Sequence, residues 1–402
     1  MINHDALAKM QTKAMVAGGY IAALLILTTP FSTASIFILS FALLLVWILS
    51  SQFMKLPSLL RDNYMALALF LLLLSLIVSM SYTSASFYEA KAMVLKYRKW
   101  LVLIVLLPFL ESETAQKWGW RALITATLAN LIISYLFYFG ILDPPHPILS
   151  PYSLKSRITH SLFISFCAFY CGHKALEPSK YRYLFLGLLL LSVHNLFVVV
   201  TGRTGQLIFL LLMMLLSYQR LSLKYFIRSM GLLMLTLALF VSFSNIADRA
   251  FEGISNTSNY LKADSGQESH SSMGQRLTFW ENSIRLIKQK PWFGHGVGSF
   301  EQAYNAVADK EDFPSRNPHN EYLMLLAQQG VFGLSLFLLF LYYQYRYAIQ
   351  MPSLKGYLAQ GMLLTLVVNS LFNSSFLDHT EGHWFAEMIA LCFAPLLRPE
   401  KS

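Results

Sequence analysis

Apolar stretches long enough to cross a lipid bilayer recur along most of this chain and limit what it can fold into. A helix needs about 20 apolar residues to cross the ~30 Å hydrocarbon layer. Of the 402 residues, 55% are hydrophobic and 13% are charged, whereas soluble domains carry about 25% charged residues. The sequence therefore predicts an all-α polytopic membrane protein. About 12 transmembrane helices are expected, at 14–30, 34–51, 63–82, 98–110, 120–140, 158–172, 183–200, 206–219, 229–245, 321–343, 357–375 and 384–397.

Lysine and arginine are distributed unevenly between the connecting segments. When the N-terminus is placed in the cytosol, the inner segments hold more basic residues than the short outer loops, as the positive-inside rule requires. Both termini are therefore expected in the cytosol, and the net charge of +10 reflects topology rather than a nucleic-acid partner. The predicted organisation is nine spans in 1–245, one periplasmic loop at 246–320, and three spans with a cytosolic tail in 321–402.

The long loop contains a pattern typical of an amphipathic helix at 275–290. Apolar residues recur there at steps of three and four, namely Leu277, Trp280, Ile284 and Ile287. Pro291 ends the pattern, and a tight apolar turn is predicted at 292–298. We expect this helix to pack on the outer ends of the spans.

Arg203 lies between two glycines in the sequence Thr-Gly-Arg-Thr-Gly at 201–205, at the outer end of two predicted spans. A guanidinium near membrane depth is costly unless an anion accompanies it, and glycine lets a backbone approach a phosphate closely. The pattern favours an anion site. A tight hairpin whose arginine reaches lipid phosphates is the alternative.

Arg276 lies at the beginning of the helix predicted in the long loop. A cation is unfavourable in the first turn of a helix, whereas the backbone amides there attract anions. An arginine at this position is better explained beside a bound phosphate than alone. An ordinary exposed arginine remains the alternative.

His319 occurs in the sequence Asn-Pro-His-Asn-Glu-Tyr at 317–322, where span ten is predicted to begin. Asn317 is a suitable helix cap and Pro318 suits a first helical turn. A histidine held there at the membrane surface can accept a proton near pH 7. A lone histidine is more often structural, but two arginines at the same face favour a transferase site.

Further polar residues are predicted at the same face. Arg157 and His160 begin span six, and a charged cluster in the last outer loop has spacing similar to that of metal ligands. No metal is predicted there, because short charged loops are common. The members of this cluster are Asp378, His379, Glu381 and His383.

Taken together, these stretches resemble the O-antigen ligase and O-antigen polymerase superfamily. The resemblance covers about 200–375 and rests on 201–205, on Arg276 with Trp280, on 291–298, and on 318–322 leading into 328–334. It implies a C-type membrane glycosyltransferase of the bacterial inner membrane that needs no metal or other cofactor. Such enzymes transfer a finished glycan from undecaprenyl diphosphate at the periplasmic face, and inversion at the anomeric carbon is expected.

The resemblance also assigns roles to individual residues. By matching position, His319 would activate the acceptor hydroxyl, while Arg203 and Arg276 would hold the donor diphosphate. Arg157 is a further candidate for diphosphate binding. Supporting roles are expected for a last group of residues, namely His160, Asn317 and Glu321.

Within the superfamily we favour a ligase whose acceptor is lipid A–core. The polymerases generally have two sizeable outer loops, whereas the connection at 201–205 is minimal. Protein O-oligosaccharyltransferases tend to be longer. A membrane transporter is the alternative of a different class, but His194 and Asn195 form the one polar pair found near the middle of a span. The expected partners are the lipid-linked donor, lipid A–core and membrane lipid, with no nucleic acid.

Overall fold

The computed structural model describes residues 4–145, 150–228, 231, 272–309 and 312–397. Over these ranges the chain is α-helical and contains no β-strand, which confirms the all-α class. The span predicted at 229–245 and the first part of the predicted loop, up to 271, lie outside the described residues except for position 231.

The helices follow one another along the chain and are numbered here in that order. They are α1 (His4–Thr28), α2 (Thr33–Leu49), α3 (Leu56–Asp62), α4 (Tyr64–Val78), α5 (Phe87–Lys96), α6 (Lys99–Phe109), α7 (Glu113–Tyr138), α8 (Arg157–Leu176), α9 (Arg182–His194), α10 (Arg203–Arg220), α11 (Ser272–Gln289), α12 (Phe300–Asn305), α13 (Glu321–Gln350), α14 (Ser353–Phe372) and α15 (His379–Phe393). A π-helical turn, Asn195–Val199, extends α9.

Within the described ranges, five helical segments are long and apolar enough to cross a membrane. They are Leu7–Thr28, Tyr64–Ser81, Glu113–Tyr138, Arg182–Val199 and Glu321–Gln350. A sixth is present if α2 and the segment Gln52–Asp62, which meet at a bend of 75°, form one broken span. A polytopic membrane protein is therefore supported, whereas the predicted count of twelve is not confirmed.

Some of the shorter helices, most clearly α15, are apolar because they are buried inside the protein. In α15, the residues from Thr380 to Phe393 are all buried, and the helix packs against α6, α14, α1, α13, α7 and α2. An apolar sequence does not distinguish a helix surrounded by other helices from one that faces lipid. Helix α15 is therefore the centre of the bundle.

Several helix ends meet at one end of this bundle. Thr159, in the first turn of α8, donates a hydrogen bond to Glu381 near the start of α15. Asn373, which follows α14, donates to the same carboxylate. Asn320, immediately before α13, donates to the carbonyl oxygen of Leu371 near the end of α14. The start of α10 joins this end because Ser165 of α8 donates to the carbonyl oxygen of Gly205.

Helix α13 is broken at Gly330, whose φ of 62° and ψ of −161° are not helical. The loop after α11 replaces the interrupted helical hydrogen bonds. The amides of His295 and Gly296 donate to the carbonyl oxygens of Ala327 and Gln328, each at 2.9 Å. In return, the amide of Val331 donates to the carbonyl oxygen of Pro291 at 2.8 Å. A broken helix in a membrane protein requires such substitution, because an unpaired backbone group is costly there.

The predicted amphipathic helix is confirmed as α11, with bounds three residues earlier at its start and one residue earlier at its end. The predicted turn at 292–298 is also present. A Cβ on Gly294 would meet the backbone of Gln328 and Gln329, and one on Gly330 would meet the backbone of Trp292 and Phe293. Glycine is needed at both positions because two backbones pass in direct contact.

Candidate functional site

His319 lies in the loop before α13 rather than in the helix. Its φ of 51° is in the left-handed region. The side chain of Asn320 caps α13 by accepting from the amide of Leu323 at 3.0 Å. The expectation that Asn317 is the cap was wrong: its side-chain oxygen accepts from the amide of His319 at 2.9 Å and from the hydroxyl of Ser374 at 2.6 Å. This contact with Ser374, distant in sequence, fixes the loop.

The His319 ring is held between α11 and the residue that follows α14. The ring of Phe279 stacks on it with centroids 6.2 Å apart and an interplanar angle of 27°. The side chain of Asn373 lies close enough to the imidazole to raise its pKa, against the lowering by burial and Arg276. The indole of Trp280 donates to the carbonyl oxygen of Pro318 at 3.0 Å. The imidazole is therefore positioned from two sides and is partly buried.

Arg276 lies close enough to both Arg203 and His319 for their charges to interact. Burial and then the charge of Arg203 lower the pKa of the Arg276 guanidinium. Burial and then the charge of Arg276 lower the pKa of the His319 imidazole. The structure thus brings Arg276 near both Arg203 and His319, although α10, α11 and the loop before α13 are far apart in sequence.

Neither arginine of this group has a carboxylate partner in the part of the chain that the structure describes. Two neighbouring guanidiniums without an anion repel each other, and the partly buried one also loses hydration. Such an arrangement favours a bound anion with more than one negative charge.

Two local details of the arginine predictions were wrong. Helix α11 begins at Ser272, so Arg276 lies in its second turn and the helix-dipole reasoning does not apply to it. Gly202 and Gly205 let α10 pack against α8, since a Cβ on either would collide with the side chain of Ser161. The glycines are explained by helix packing. Arg203 is the first residue of α10, and its side chain is exposed.

Arg157 and His160 lie at the start of α8, as predicted, but they differ in surroundings. Arg157 is exposed. His160 is buried, and its Nε2 is 2.8 Å from the side-chain oxygen of Asn195 at the end of α9. Asn195 in turn donates to Ser134 of α7 at 2.9 Å. These contacts explain His160 by the packing of three helices.

Glu321 has a structural position beside the site. Its carboxylate accepts from the hydroxyl of Tyr97 and from the amide of Phe376, both at 3.0 Å. The buried ammonium of Lys99 donates to the carbonyl oxygens of Phe376, Leu377 and Asp378 at 2.9, 3.1 and 2.6 Å. One carboxylate and one ammonium thus hold the turn between α14 and α15, which carries Asn373.

Glu381 belongs to helix α15 and not to an outer loop, which corrects the prediction of a charged loop there. Its carboxylate is buried and accepts three hydrogen bonds, from Thr159 at 2.9 Å, Asn369 at 3.3 Å and Asn373 at 2.6 Å. Among the described residues, no group of three or more His, Cys, Asp or Glu side chains is arranged to hold a metal ion. The sequence analysis named Glu381 but did not predict its burial or its donors, of which the two asparagines, four residues apart, were a usable signal.

Comparison with known proteins identifies the part of the chain that carries this site. Residues 184–338 match the family model described as O-antigen ligase. This segment of the chain is therefore similar to the O-antigen ligase family. It includes Arg203, Arg276 and His319, and the predicted resemblance to that family is confirmed over it. Proteins of this O-antigen ligase and polymerase superfamily are glycosyltransferase-like enzymes that act on lipid-linked glycans.

A protein of Haemophilus influenzae that is itself uncharacterized is 27% identical over 139 residues. The matched part is 31% of this chain and 34% of that protein, so the chain spans about a third of this relative's length. The relative adds no activity to the family assignment.

Proposed function

We propose that this protein is an O-antigen ligase of the bacterial inner membrane. It transfers polysaccharide from undecaprenyl diphosphate to a hydroxyl of lipid A–core at the periplasmic face. The observation that carries the proposal is the position of Arg276, which lies near both His319 and Arg203. Neither guanidinium has a carboxylate partner in the described ranges. This combination suits a reaction whose leaving group is a diphosphate.

The two arginines bind the donor diphosphate and stabilise the charge that develops on it. A guanidinium forms two parallel hydrogen bonds with phosphate oxygens. The bridging oxygen of the diphosphate gains negative charge as its bond to the anomeric carbon breaks, and fixed cations reduce the barrier for that step. Because the arginines supply this charge, the mechanism requires no metal or other cofactor. Arg157, exposed at the start of α8, is a further phosphate ligand in this proposal.

His319 is the general base for the acceptor hydroxyl. Its lowered pKa keeps the imidazole neutral at pH 7, and a neutral imidazole can accept a proton. The acceptor oxygen attacks the anomeric carbon opposite the diphosphate, its proton passes to His319, and undecaprenyl diphosphate leaves. Attack from the opposite face inverts the anomeric configuration.

A deletion strain complemented with single variants tests the function. Without the gene, lipopolysaccharide should lose its whole ladder of long chains while lipid-linked glycan accumulates. Wild type should restore the ladder, and Arg276→Ala should not, whereas Arg285→Ala should, because Arg285 is exposed on the same helix and paired with Glu281 and Asp309. A cap of one repeat unit in the deletion strain would indicate a polymerase instead. An unchanged ladder would refute both.

A further inference from the structure

We propose that the end of the bundle opposite His319 carries a binding site for an anionic phospholipid. Basic residues of α7, α8 and α14 hold its phosphate, and its acyl chain enters an apolar cavity between these helices and α15. The proposal does not depend on the role of His319 as general base.

A cavity of about 460 Å³ lies between α7, α8, α14 and the end of α15, a size common for ligand pockets. Its inner wall is formed by buried side chains, namely Tyr170, Leu358, Leu391 and Cys392. Trp120 of α7 also lines the cavity and stacks on Tyr170, with ring centroids 5.1 Å apart and an interplanar angle of 12°. The inner part is therefore apolar and is bounded by packed aromatic rings, which suits a hydrocarbon chain.

Basic side chains line the same cavity from three helices. Lys117 and Arg121 belong to α7, Lys174 to the last turn of α8, and Lys355 to the first turn of α14. Lys174 pairs with Glu177 at 2.7 Å. The other three form no ion pair within the described residues. An anion at this position would therefore not have to displace a carboxylate from them.

The charge of the lining favours an anion over a cation. Glu111 and Glu113 are the carboxylates that line the cavity, against four basic side chains. A phosphate diester carries one negative charge, which is less than this excess of positive charge. Basic side chains beside an apolar interior thus complement a phospholipid headgroup and the chain attached to it.

The position of the cavity agrees with the second leaflet of a bilayer. Helix α8 begins at Arg157, at the end of the bundle that carries His319. At 1.5 Å per residue, Lys174 lies about 25 Å further along this helix, and the hydrocarbon layer is ~30 Å thick. If His319 faces the periplasm, as proposed, the cavity faces the cytosolic leaflet.

Basic residues at a cytosolic end are also expected from the positive-inside rule, which is the simpler explanation. That rule requires lysine and arginine in the cytosolic segments. It does not require basic side chains of three helices to line one cavity with an apolar interior. Basic pockets between transmembrane helices on this side are typical of sites for anionic lipid headgroups.

The test titrates the purified full-length protein, in a neutral detergent, with phosphatidylglycerol and follows the midpoint of thermal unfolding. A ligand that binds the folded protein raises this midpoint as its concentration increases, so the titration gives an apparent affinity. The double variant Lys117→Gln with Arg121→Gln should bind about 25-fold more weakly, because each basic residue near an anionic lipid contributes about fivefold. Both side chains are exposed, so the fold should be retained.

The matched control carries Lys180→Gln with Arg182→Gln. These two residues are exposed at the same end of the bundle, just after α8, and do not line the cavity. The control loses the same charge and should keep the wild-type affinity. Phosphatidylcholine and inorganic phosphate, added to wild type at the same concentrations, should raise the midpoint much less than phosphatidylglycerol does.

A second readout locates the acyl chain. Phosphatidylglycerol with brominated chains quenches the fluorescence of tryptophans that it contacts. Trp120→Phe keeps an aromatic ring beside Tyr170 and should remove the part of the quenching that saturates together with the thermal midpoint.

The outcomes decide between a lipid site and its alternatives. Equal affinity of the Lys117→Gln, Arg121→Gln protein and the control would refute the site, and so would saturable quenching that is unchanged in Trp120→Phe. An equal effect of inorganic phosphate would indicate a site for a free anion, and an equal effect of phosphatidylcholine would indicate a general response to lipid. Either would overturn the proposal. Transfer is not measured, so failure of the proposed function would leave these results unchanged.

Discussion

Replacement of His319 by asparagine should abolish transfer while leaving the protein folded. The residue has a φ of 51°, where most side chains cost about 1–2 kcal/mol but asparagine is tolerated. The backbone amide still donates to Asn317, and the main loss is the ring stacked on Phe279, worth about 0.5–1.5 kcal/mol. Unfolding free energy should therefore change by about 1 kcal/mol.

The effect on turnover should be much larger than the effect on stability. A positioned general base contributes about 10²–10⁴-fold, which corresponds to about 3–5 kcal/mol in the activation free energy. Asparagine cannot accept the proton, so kcat should fall by this factor. Donor binding should be nearly unchanged, because the proposed function assigns the diphosphate to Arg203 and Arg276.

The assay uses purified protein, lipid-linked donor and lipid A–core, with product resolved on a gel and stability followed by thermal unfolding in detergent. For the wild type, the rate should fall as pH decreases through the pKa of His319. Burial and Arg276 lower that pKa from its ordinary value of 6.5, so the fall should occur below about pH 6.5. Near-normal turnover of His319→Asn with an unchanged pH profile would refute the base, and Glu321 or His160 would then be tested as proton acceptor.

Three further predictions follow from the site and the fold. Arg276→Gln removes a positive charge beside His319, so the midpoint for modification of His319 by diethyl pyrocarbonate should move to higher pH. Gly330→Ala should destabilise the protein by about 1–3 kcal/mol in thermal unfolding, because its φ of 62° and ψ of −161° are accessible essentially to glycine alone. A reporter fused after Asp309 should report the periplasm, as the proposed site requires.

Each of these predictions has a control on the same chain. Arg285→Gln, on the same helix as Arg276 but ion-paired and exposed, should leave the His319 midpoint unchanged. Gly187→Ala, where an added Cβ meets no atom within 4 Å, should not destabilise the protein. Reporters at Lys224 and Lys355 should report the cytosol. The first prediction is contradicted if the His319 midpoint is the same in both arginine variants. The second is contradicted if the Gly330→Ala protein is as stable as wild type, and the third if the reporter after Asp309 gives a cytosolic signal.

The sequence allowed the helical class to be predicted, and it drew attention to Arg203, Arg276 and His319 without revealing the contacts between them. Length and hydropathy identify helices because apolar runs and turn residues are local properties. They do not reveal that α15 is enclosed by other helices. The predicted number of spans depends on whether such an apolar helix is enclosed by protein or faces lipid. Arg203, Arg276 and His319 drew attention because the order and spacing of their motifs, taken together, resemble one superfamily.

The details of the site depend on contacts that no local pattern contains. The sequence Asn-Pro-His-Asn at 317–320 offers two asparagines as caps for α13. Asn317 accepts from Ser374 instead, and Asn320 caps the helix. Glu381 receives a donor from Thr159, 222 residues away. The burial of Glu381 could not be inferred from its neighbours His379 and His383, because these residues indicated a charged loop.

The turn between α14 and α15 explains how a site made from separate helix ends keeps its geometry. Lys99 of α6 donates to three carbonyl oxygens of the turn, and Glu321 of α13 accepts from one of its amides. Two helices that are not adjacent to the turn in sequence therefore fix it. That segment begins at Asn373, beside the His319 ring, and ends at Asp378, whose charge favours protonation of the same ring. Polar groups buried on α6, α13 and α15 therefore hold the turn that lies beside His319. Burying such groups is costly unless hydrogen bonds replace their hydration, and in the proposed site the fixed turn keeps the position of His319 constant.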